Sequence, residues 1–77
     1  MRMEDNLYKV YFHQHHWVVQ NPMTKDKLAS CDKRECAIDF AKNTARRHRP
    51  SVVRIYHNNG EFADEYSFGL KPFPGEG

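Results

Sequence analysis

One segment with helical periodicity lies between two β-rich regions of the sequence, and it constrains how this chain can fold. Apolar residues recur in it at spacings of three and four, the period of an amphipathic helix. The stripe consists of Ala37, Ile38, Ala41 and Ala45, flanked by Cys36 and Phe40. Asp32 followed by Glu35 indicates a capping box at the helix start, and Pro50 forbids continuation. We therefore predict a helix from Lys33 to His48, with small alanines that let it lie close against a sheet.

Strand-like patterns precede this helix. Residues 7–13 alternate side chains between two faces, and residues 16–20 form a second β-rich run after a short polar break. Two such runs so close together predict a hairpin. Pro22 ends the second strand because proline cannot donate to a ladder. Residues 27–30 are either a short third strand or an extended connector.

A second hairpin is predicted after the helix. Residues 51–57 are rich in β-branched side chains, and residues 61–66 form the return strand. The turn between them is Asn58-Asn59-Gly60, and Asn-Gly is a strong hairpin signal because both residues tolerate positive φ.

Two registers of this hairpin are open. A two-residue loop sets Arg54 opposite Glu65 and Ile55 opposite Asp64. A three-residue loop with a glycine bulge sets Arg54 opposite Asp64 and Ile55 opposite Ala63. We favour the second register because Ile55 then meets an apolar neighbour.

These elements predict an α+β domain over residues 7–69. It has a single antiparallel β-sheet in the order β-β-(β)-α-β-β, with one helix packed on one face. A chain of 77 residues has a small core, so a few large side chains must supply much of it. We expect Phe12, Trp17, Ile55 and Phe62 among them. Residues 1–6 are predicted to be a flexible N-terminus, and residues 70–77 a flexible tail rich in proline and glycine.

The net charge of the chain limits which classes of partner it can be expected to bind. The formal net charge is +2 and charged residues make up 29% of the chain, a mild basic tilt that permits an anionic partner without establishing one. No apolar run is long enough for a membrane span, and the amino terminus lacks a secretory pattern. We therefore predict no membrane association and a cytoplasmic location, where both cysteines are free thiols.

A group of histidines and two cysteines could be interpreted as a metal site. His13, His15 and His16 carry imidazoles, and Cys31 and Cys36 are possible further ligands. Four residues separate the cysteines and the helix start falls between them, so their thiols need not converge. We predict no metal and no other cofactor.

Catalysis is not predicted either. Cys36 falls in the first helical turn, where the helix dipole favours a reactive thiol, but it also flanks the apolar stripe, and free cysteine usually behaves as a small buried hydrophobe. Asp64 and Glu65 are adjacent on a strand and point to opposite faces, which is poor geometry for shared acid–base chemistry. We predict a protein that is not an enzyme.

A small binding module is the leading functional interpretation, acting by protein–protein contact, either with a protein partner or as a homodimer. The second predicted strand presents apolar side chains to both faces, and only one face can pack on the helix. The predicted protein-binding residues are Trp17, Val18, Tyr56 and Phe68, with Tyr56 and Phe68 facing outward.

The alternative is a nucleic-acid-binding protein that uses the basic helix together with aromatic strand residues. The predicted contact residues are Lys42, Arg46, Arg47, Arg49 and Tyr56. Tyr8, Tyr11 and Phe68 are further candidates for base stacking.

Short motifs along the chain resemble a known family. They are Trp17-Val18-Val19, Ala29-Ser30, Ala37-Ile38 with Ala41, the run Val-Arg-Ile-Tyr-His-Asn-Asn-Gly at 53–60, and the closing Ser67-Phe68-Gly69. Together they resemble domain of unknown function 2188 (DUF2188), whose members are small prokaryotic and phage-borne proteins. Phe68 stands where tyrosine is usual in that family, and residues 13–16 replace a glycine-rich turn. The resemblance supports the fold and implies a bacterial or phage origin, and it transfers no catalytic residue.

Overall fold

The computed structural model describes residues 6–69 as one five-stranded sheet with one helix on one face. The elements are β1 (Leu7–His13), β2 (His16–Asn21), β3 (Asp26–Cys31), α1 (Arg34–Arg47), β4 (Ser51–Tyr56) and β5 (Phe62–Phe68). The strand order is β3-β2-β1-β4-β5. The predicted α+β class is confirmed, and the segment left open before the helix is a strand. Of the flexible segments predicted at the two ends, residues 1–5 and 70–77 lie outside the described residues, and only Asn6 falls within them.

The sheet is mixed, which corrects the antiparallel arrangement that we predicted. The pairs β1–β2, β2–β3 and β4–β5 are antiparallel, but β1 and β4 run parallel at the centre. The helical connection is the physical reason. α1 takes the chain from β3 across one face of the sheet and returns it beside β1, and such a crossover joins strands that run in the same direction.

Three alanines bring α1 close to the sheet, as the apolar stripe predicted. Ala37, Ala41 and Ala45 are fully buried. They belong to one cluster with side chains of the three central strands, among them Val10, Val19, Val53 and Ile55. Because an alanine methyl is small, the sheet residues supply most of the apolar area, at roughly 1.5–3 kcal/mol for each fully buried large side chain.

Two of the four large side chains expected in the core are exposed. Trp17 and Ile55 are buried as predicted. Phe12 is 36% exposed near the end of β1, with its ring centroid 5.2 Å from that of Trp17. Phe62 is 55% exposed because it pairs with Tyr56 on the sheet face away from α1.

Both ends of α1 differ from the prediction by one residue. Lys33 rather than Asp32 precedes the helix, and no side chain caps it. The Asp32 carboxylate lies 3.3 Å from His16 Nδ1 on β2, so the predicted capping box does not form. At the other end, the His48 N–H donates to the Ala45 carbonyl at 3.2 Å. Within residues 6–69, no helix is long and apolar enough to cross a membrane.

The loop between β4 and β5 has the three residues that we favoured. The His57 N–H donates to the Glu61 carbonyl at 2.8 Å, and Tyr56 faces Phe62. Gly60 takes a φ of 94°, in the left-handed region where an L side chain is strained. Gly60 therefore supplies the positive φ that the Asn-Gly signal indicated for this turn.

Beyond this loop, the residues of β4 and β5 pair as in the register that we predicted for a two-residue loop. A β-bulge shifts the pairing, so that Arg54 faces Glu65 and Ile55 faces Asp64. The favoured pairs, Arg54 with Asp64 and Ile55 with Ala63, were wrong. One extra residue in β5 restores the register of the shorter loop and also turns Phe62 away from the helix.

The described chain begins one residue before β1, with a side chain that helps to fix the domain. Asn6, which the sequence placed in the flexible lead-in, is buried. Its Nδ2 donates to the Pro50 carbonyl at 2.9 Å and so joins the start of β1 to the segment before β4.

Candidate binding surface

The sheet has a second face that α1 does not cover, which we call the open face. Strand alternation and register place on it Leu7, Lys9, Tyr11, Val18, Gln20, Val52, Arg54 and Tyr56. Val18 is only 2% exposed although it lies outside the core cluster, between its cross-strand neighbours Tyr11 and Ser30. The open face is therefore partly apolar and not simply a solvated surface.

A lysine lies between two tyrosine rings at the centre of this face. Lys9 Nζ is 4.8 Å from the ring centroid of Tyr11 and 5.2 Å from that of Tyr56. The Tyr11 hydroxyl donates to Gln20 Oε1 at 3.1 Å, which fixes that ring across the β1–β2 pair. Cation–π contacts of this kind are worth about 0.5–1 kcal/mol at exposed sites, so they orient Lys9 while leaving its charge available.

A second aromatic pair and an ion pair extend the face toward the β5 edge. The rings of Tyr56 and Phe62 meet edge to face with centroids 5.9 Å apart. Arg54 Nε donates to Glu65 Oε1 at 3.1 Å, with both side chains close to half exposed. Glu65 therefore compensates the Arg54 charge, and the pair contributes little to stability at such exposure.

A shallow concavity of about 230 Å³ lies at the end of the open face where β1 begins. It is lined by Leu7, Lys9, Pro22, Met23, Arg54 and Tyr56. Pro22 and Met23 come from the β2–β3 loop, where Asn21 Oδ1 accepts a hydrogen bond from the Met23 N–H at 2.9 Å. This arrangement places the Lys9 ammonium beside apolar side chains, while Arg54 is already paired with Glu65. The concavity can therefore hold an apolar group that carries a neighbouring negative charge.

The sequence pattern of a family described as uncharacterised proteins conserved in bacteria, DUF2188, matches residues 8–68. The chain belongs to the DUF2188 family. The suspected family is thereby confirmed over most of the chain. No curated protein and no solved structure matches the chain.

The predicted protein-binding residues of this DUF2188 domain do not form one surface. Trp17 and Phe68 lie on the face that α1 covers, Trp17 in the core cluster and Phe68 packed against it. Val18 is on the open face but buried. Of the four, only Tyr56 is on the open face and accessible. Phe68 faces inward, contrary to the prediction, because its partner Ser51 lies under the helix.

The predicted nucleic-acid residues are divided in the same way. Lys42 Nζ lies 3.9 Å from the ring centroid of Tyr66, and the Arg49 guanidinium lies 5.8 Å from that of Phe68, both on the helix side. Arg46 Nη1 donates to Asn43 Oδ1 at 3.2 Å on the exposed surface of α1, and Arg47 is also exposed. Because Tyr56 is on the opposite face, one strand of nucleic acid cannot contact the helix end and Tyr56 on a flat surface.

The other stacking candidates differ in accessibility. Tyr8 is buried under α1, and burial raises the pKa of its hydroxyl. Tyr11 is half-buried on the open face beside His13, with ring centroids 6.3 Å apart. Tyr11 is therefore the candidate that joins Tyr56 on one surface.

The two cysteine thiols converge, although their spacing in the sequence did not require it. Cys31 Sγ and Cys36 Sγ lie 2.8 Å apart. The turn at Asp32 and Lys33 folds the first turn of α1 back onto the end of β3. Over the part of the chain that the structure describes, no group of three or more histidine, cysteine, aspartate or glutamate side chains could hold a metal ion.

Sequence reasoning missed the lysine and the loop residues that complete the concavity. The alternation of β1 places Lys9 on the same face as Tyr11, and this signal was available. The approach of Pro22 and Met23 to Tyr56 depends on how the β2–β3 loop lies beside β1 and on the parallel pairing of β4. Neither the position of this loop nor the parallel pairing could be predicted from the pattern of neighbouring residues.

Proposed function

We propose that this domain is a non-enzymatic binding module of a bacterium or its phage, that it acts in the cytoplasm, and that it holds a protein partner on the open face. The concavity beside Lys9 and Arg54 is the observation that carries the proposal. Its apolar lining suits one aliphatic or aromatic side chain of the partner, and the Lys9 ammonium suits a carboxylate next to that side chain. Interfaces commonly combine such an apolar anchor with charge complementarity at the rim.

A foreign partner fits this face better than a second copy of the chain. In a symmetric dimer the same patch meets itself, so two copies docked through the concavity bring the Lys9 side chains of both copies together. Like charges that approach in a desolvated contact are unfavourable. We therefore place the partner's acidic group opposite Lys9.

A binding role agrees with the positions of the acidic residues on β5. Asp64 pairs with Ile55 and Glu65 pairs with Arg54, so the two carboxylates lie on opposite faces of the sheet. They do not form an acid–base pair, and Glu65 is engaged by Arg54.

Capture from a bacterial lysate with matched variants tests the proposal. The bait is the immobilised domain, and the open-face variant combines Lys9→Glu with Met23→Asp, two positions that line the concavity. The control combines Arg46→Glu with Arg47→Glu, which are exposed on α1. We expect quantitative mass spectrometry to find a protein that the wild type and the control retain, with or without nuclease, and that the open-face variant loses. Equal retention by all three baits contradicts the proposed surface.

Single-stranded nucleic acid is a second candidate for the same face. The observation that favours it is Lys9 between Tyr11 and Tyr56, because stacking rings beside a cation are what bases and phosphates require. Lys27, which pairs with Gln20, adds a second lysine to this face.

Fluorescence anisotropy with a labelled single-stranded oligonucleotide separates this candidate from the first. Binding through the open face weakens with Lys9→Gln, and the slope of log affinity against log salt falls by about one. Binding that survives Lys9→Gln but is lost with Arg46→Gln and Arg47→Gln assigns the contact to the helix end, as the sequence alternative predicted. No binding at low salt removes nucleic acid as a candidate.

A further inference from the structure

Two thiols meet where the last residue of β3 faces the first turn of α1. Cys31 ends β3, and Cys36 is the third residue of the helix. Their sulfur atoms are 2.8 Å apart. A disulfide bond is about 2.05 Å long, so a movement of less than about 1 Å brings the two sulfurs to bonding distance.

The two thiols differ in their surroundings. Cys36 is exposed, whereas Cys31 is half-buried and packs against the core cluster. The hydrogen bond with Cys36, followed by burial, raises the pKa of the Cys31 thiol to about 11. Cys31 therefore keeps its proton at neutral pH. A reagent in solution meets Cys36 first, with Cys31 in contact behind it.

The end of the helix that carries Cys36 is weakly capped. Lys33 makes no side-chain capping hydrogen bond. The first helical hydrogen bond, from the Ala37 N–H to the Lys33 carbonyl, is 3.3 Å long. A covalent link between Cys31 and Cys36 would tie this turn directly to the edge strand β3.

We propose that Cys31 and Cys36 are a redox-active dithiol that closes to an intrachain disulfide by exchange with a low-molecular-weight disulfide such as oxidised glutathione. The pair lies at the end of the sheet where Cys31 faces Trp17, and the concavity lies at the other end, beside Leu7. The inference therefore does not depend on the proposed binding function.

The exchange takes place in two balanced steps. The Cys36 thiolate attacks one glutathione sulfur, which forms a mixed disulfide and expels one glutathione thiolate that takes up the proton lost by Cys36. Cys31 then attacks Cys36 Sγ and expels the second glutathione, which takes up the proton lost by Cys31. The two protein thiols lose two electrons, oxidised glutathione gains them, and two molecules of reduced glutathione leave.

Mass spectrometry of the acid-trapped reaction tests the proposal. After incubation with oxidised glutathione, we expect the wild-type chain to lose two hydrogen atoms and to carry no adduct. Cys31→Ser stops at the mixed disulfide on Cys36, since no second thiol resolves it. Cys36→Ser forms its adduct roughly tenfold more slowly than Cys31→Ser, because the remaining thiol is half-buried and less accessible to glutathione. Cys31→Ala replaces Cys31→Ser if the serine disturbs the core.

Three results would overturn the proposal. They are a wild-type chain that keeps two free thiols under conditions in which Cys31→Ser forms its adduct, a chain with two glutathione adducts, and a disulfide-linked dimer. Hydrogen exchange gives a second readout. The Ala37 amide, which donates the first helical hydrogen bond, exchanges more slowly in the oxidised domain, and unchanged exchange there contradicts the predicted link to β3.

Discussion

Ser51 Oγ donates a hydrogen bond of 2.6 Å to the Ala45 carbonyl, and both residues are fully buried. This bond joins the first residue of β4 to the last turn of α1. The same carbonyl accepts the His48 N–H at 3.2 Å, so two donors close the helix end before the chain turns into the sheet. The contact fixes where β4 begins, and thereby the register that places Val53 and Ile55 under the helix.

We expect Ser51→Ala to destabilise the domain by about 0.5–1.5 kcal/mol. The substitution removes one buried hydrogen bond, while the Ala45 carbonyl keeps the His48 N–H, so the full penalty of an unsatisfied acceptor does not apply. Urea unfolding measures the change. Ser67→Ala, at an exposed position on β5, is the matched control and should shift the free energy of unfolding by less than about 0.5 kcal/mol. Equal effects of the two substitutions would show that the Ser51 bond is not a stabilising contact.

Gly60 is expected to resist substitution because of its backbone conformation alone. Its φ is 94°, and nothing lies within 4 Å of the position that a Cβ would occupy. Gly60→Ala should therefore cost roughly 1–2 kcal/mol through left-handed strain without any steric clash. Gly69→Ala is the comparison, since its Cβ also meets open space and its φ lies outside the left-handed region. If thermal unfolding shows the two variants to be equally stable, strain at the turn is not what selects glycine there.

The reduced domain is expected to lose the contribution of Cys31 to its stability as the pH rises from about 9 to about 11. The pKa of this thiol is raised from 9.0 to about 11 by its hydrogen bond to Cys36, then by burial and by the neighbouring negative charges. The folded state thus holds the proton more tightly than the unfolded chain. The contribution is complete below the unfolded pKa and fades as the pH passes through the folded pKa.

The measurement is the difference in free energy of unfolding between the wild type and Cys31→Ala across this pH range, under reducing conditions. Other groups that titrate there, such as Tyr8, are common to both proteins and cancel. We expect the difference to shrink toward high pH. A difference that stays constant would mean that Cys31 has the same affinity for its proton in both states.

The helix and the strands could be predicted because their signals are local. The spacing of Ala37, Ala41 and Ala45 encodes a helix whose apolar stripe must meet another element, and all three are buried. The capping box failed because Asp32 lies near His16, a residue of β2 that no local window contains. The predicted register of the β4–β5 hairpin was wrong for a related reason. A bulge in β5 depends on which face of the strand the core requires, and the turn sequence alone does not specify it.

Periodicity, turn chemistry and short motifs are properties of neighbouring residues. They were therefore enough to predict the α+β class, the helix with its alanine stripe, the turn at Gly60 and the DUF2188 family. The parallel pairing of β1 with β4, the grouping of Lys9 with Tyr11 and Tyr56, and the approach of Cys31 to Cys36 became visible only in the folded domain. These relationships depend on how α1 crosses the sheet and how its first turn folds back onto β3. Contacts between segments that are distant along the chain, or that meet through the geometry of a turn, arise only when the elements pack.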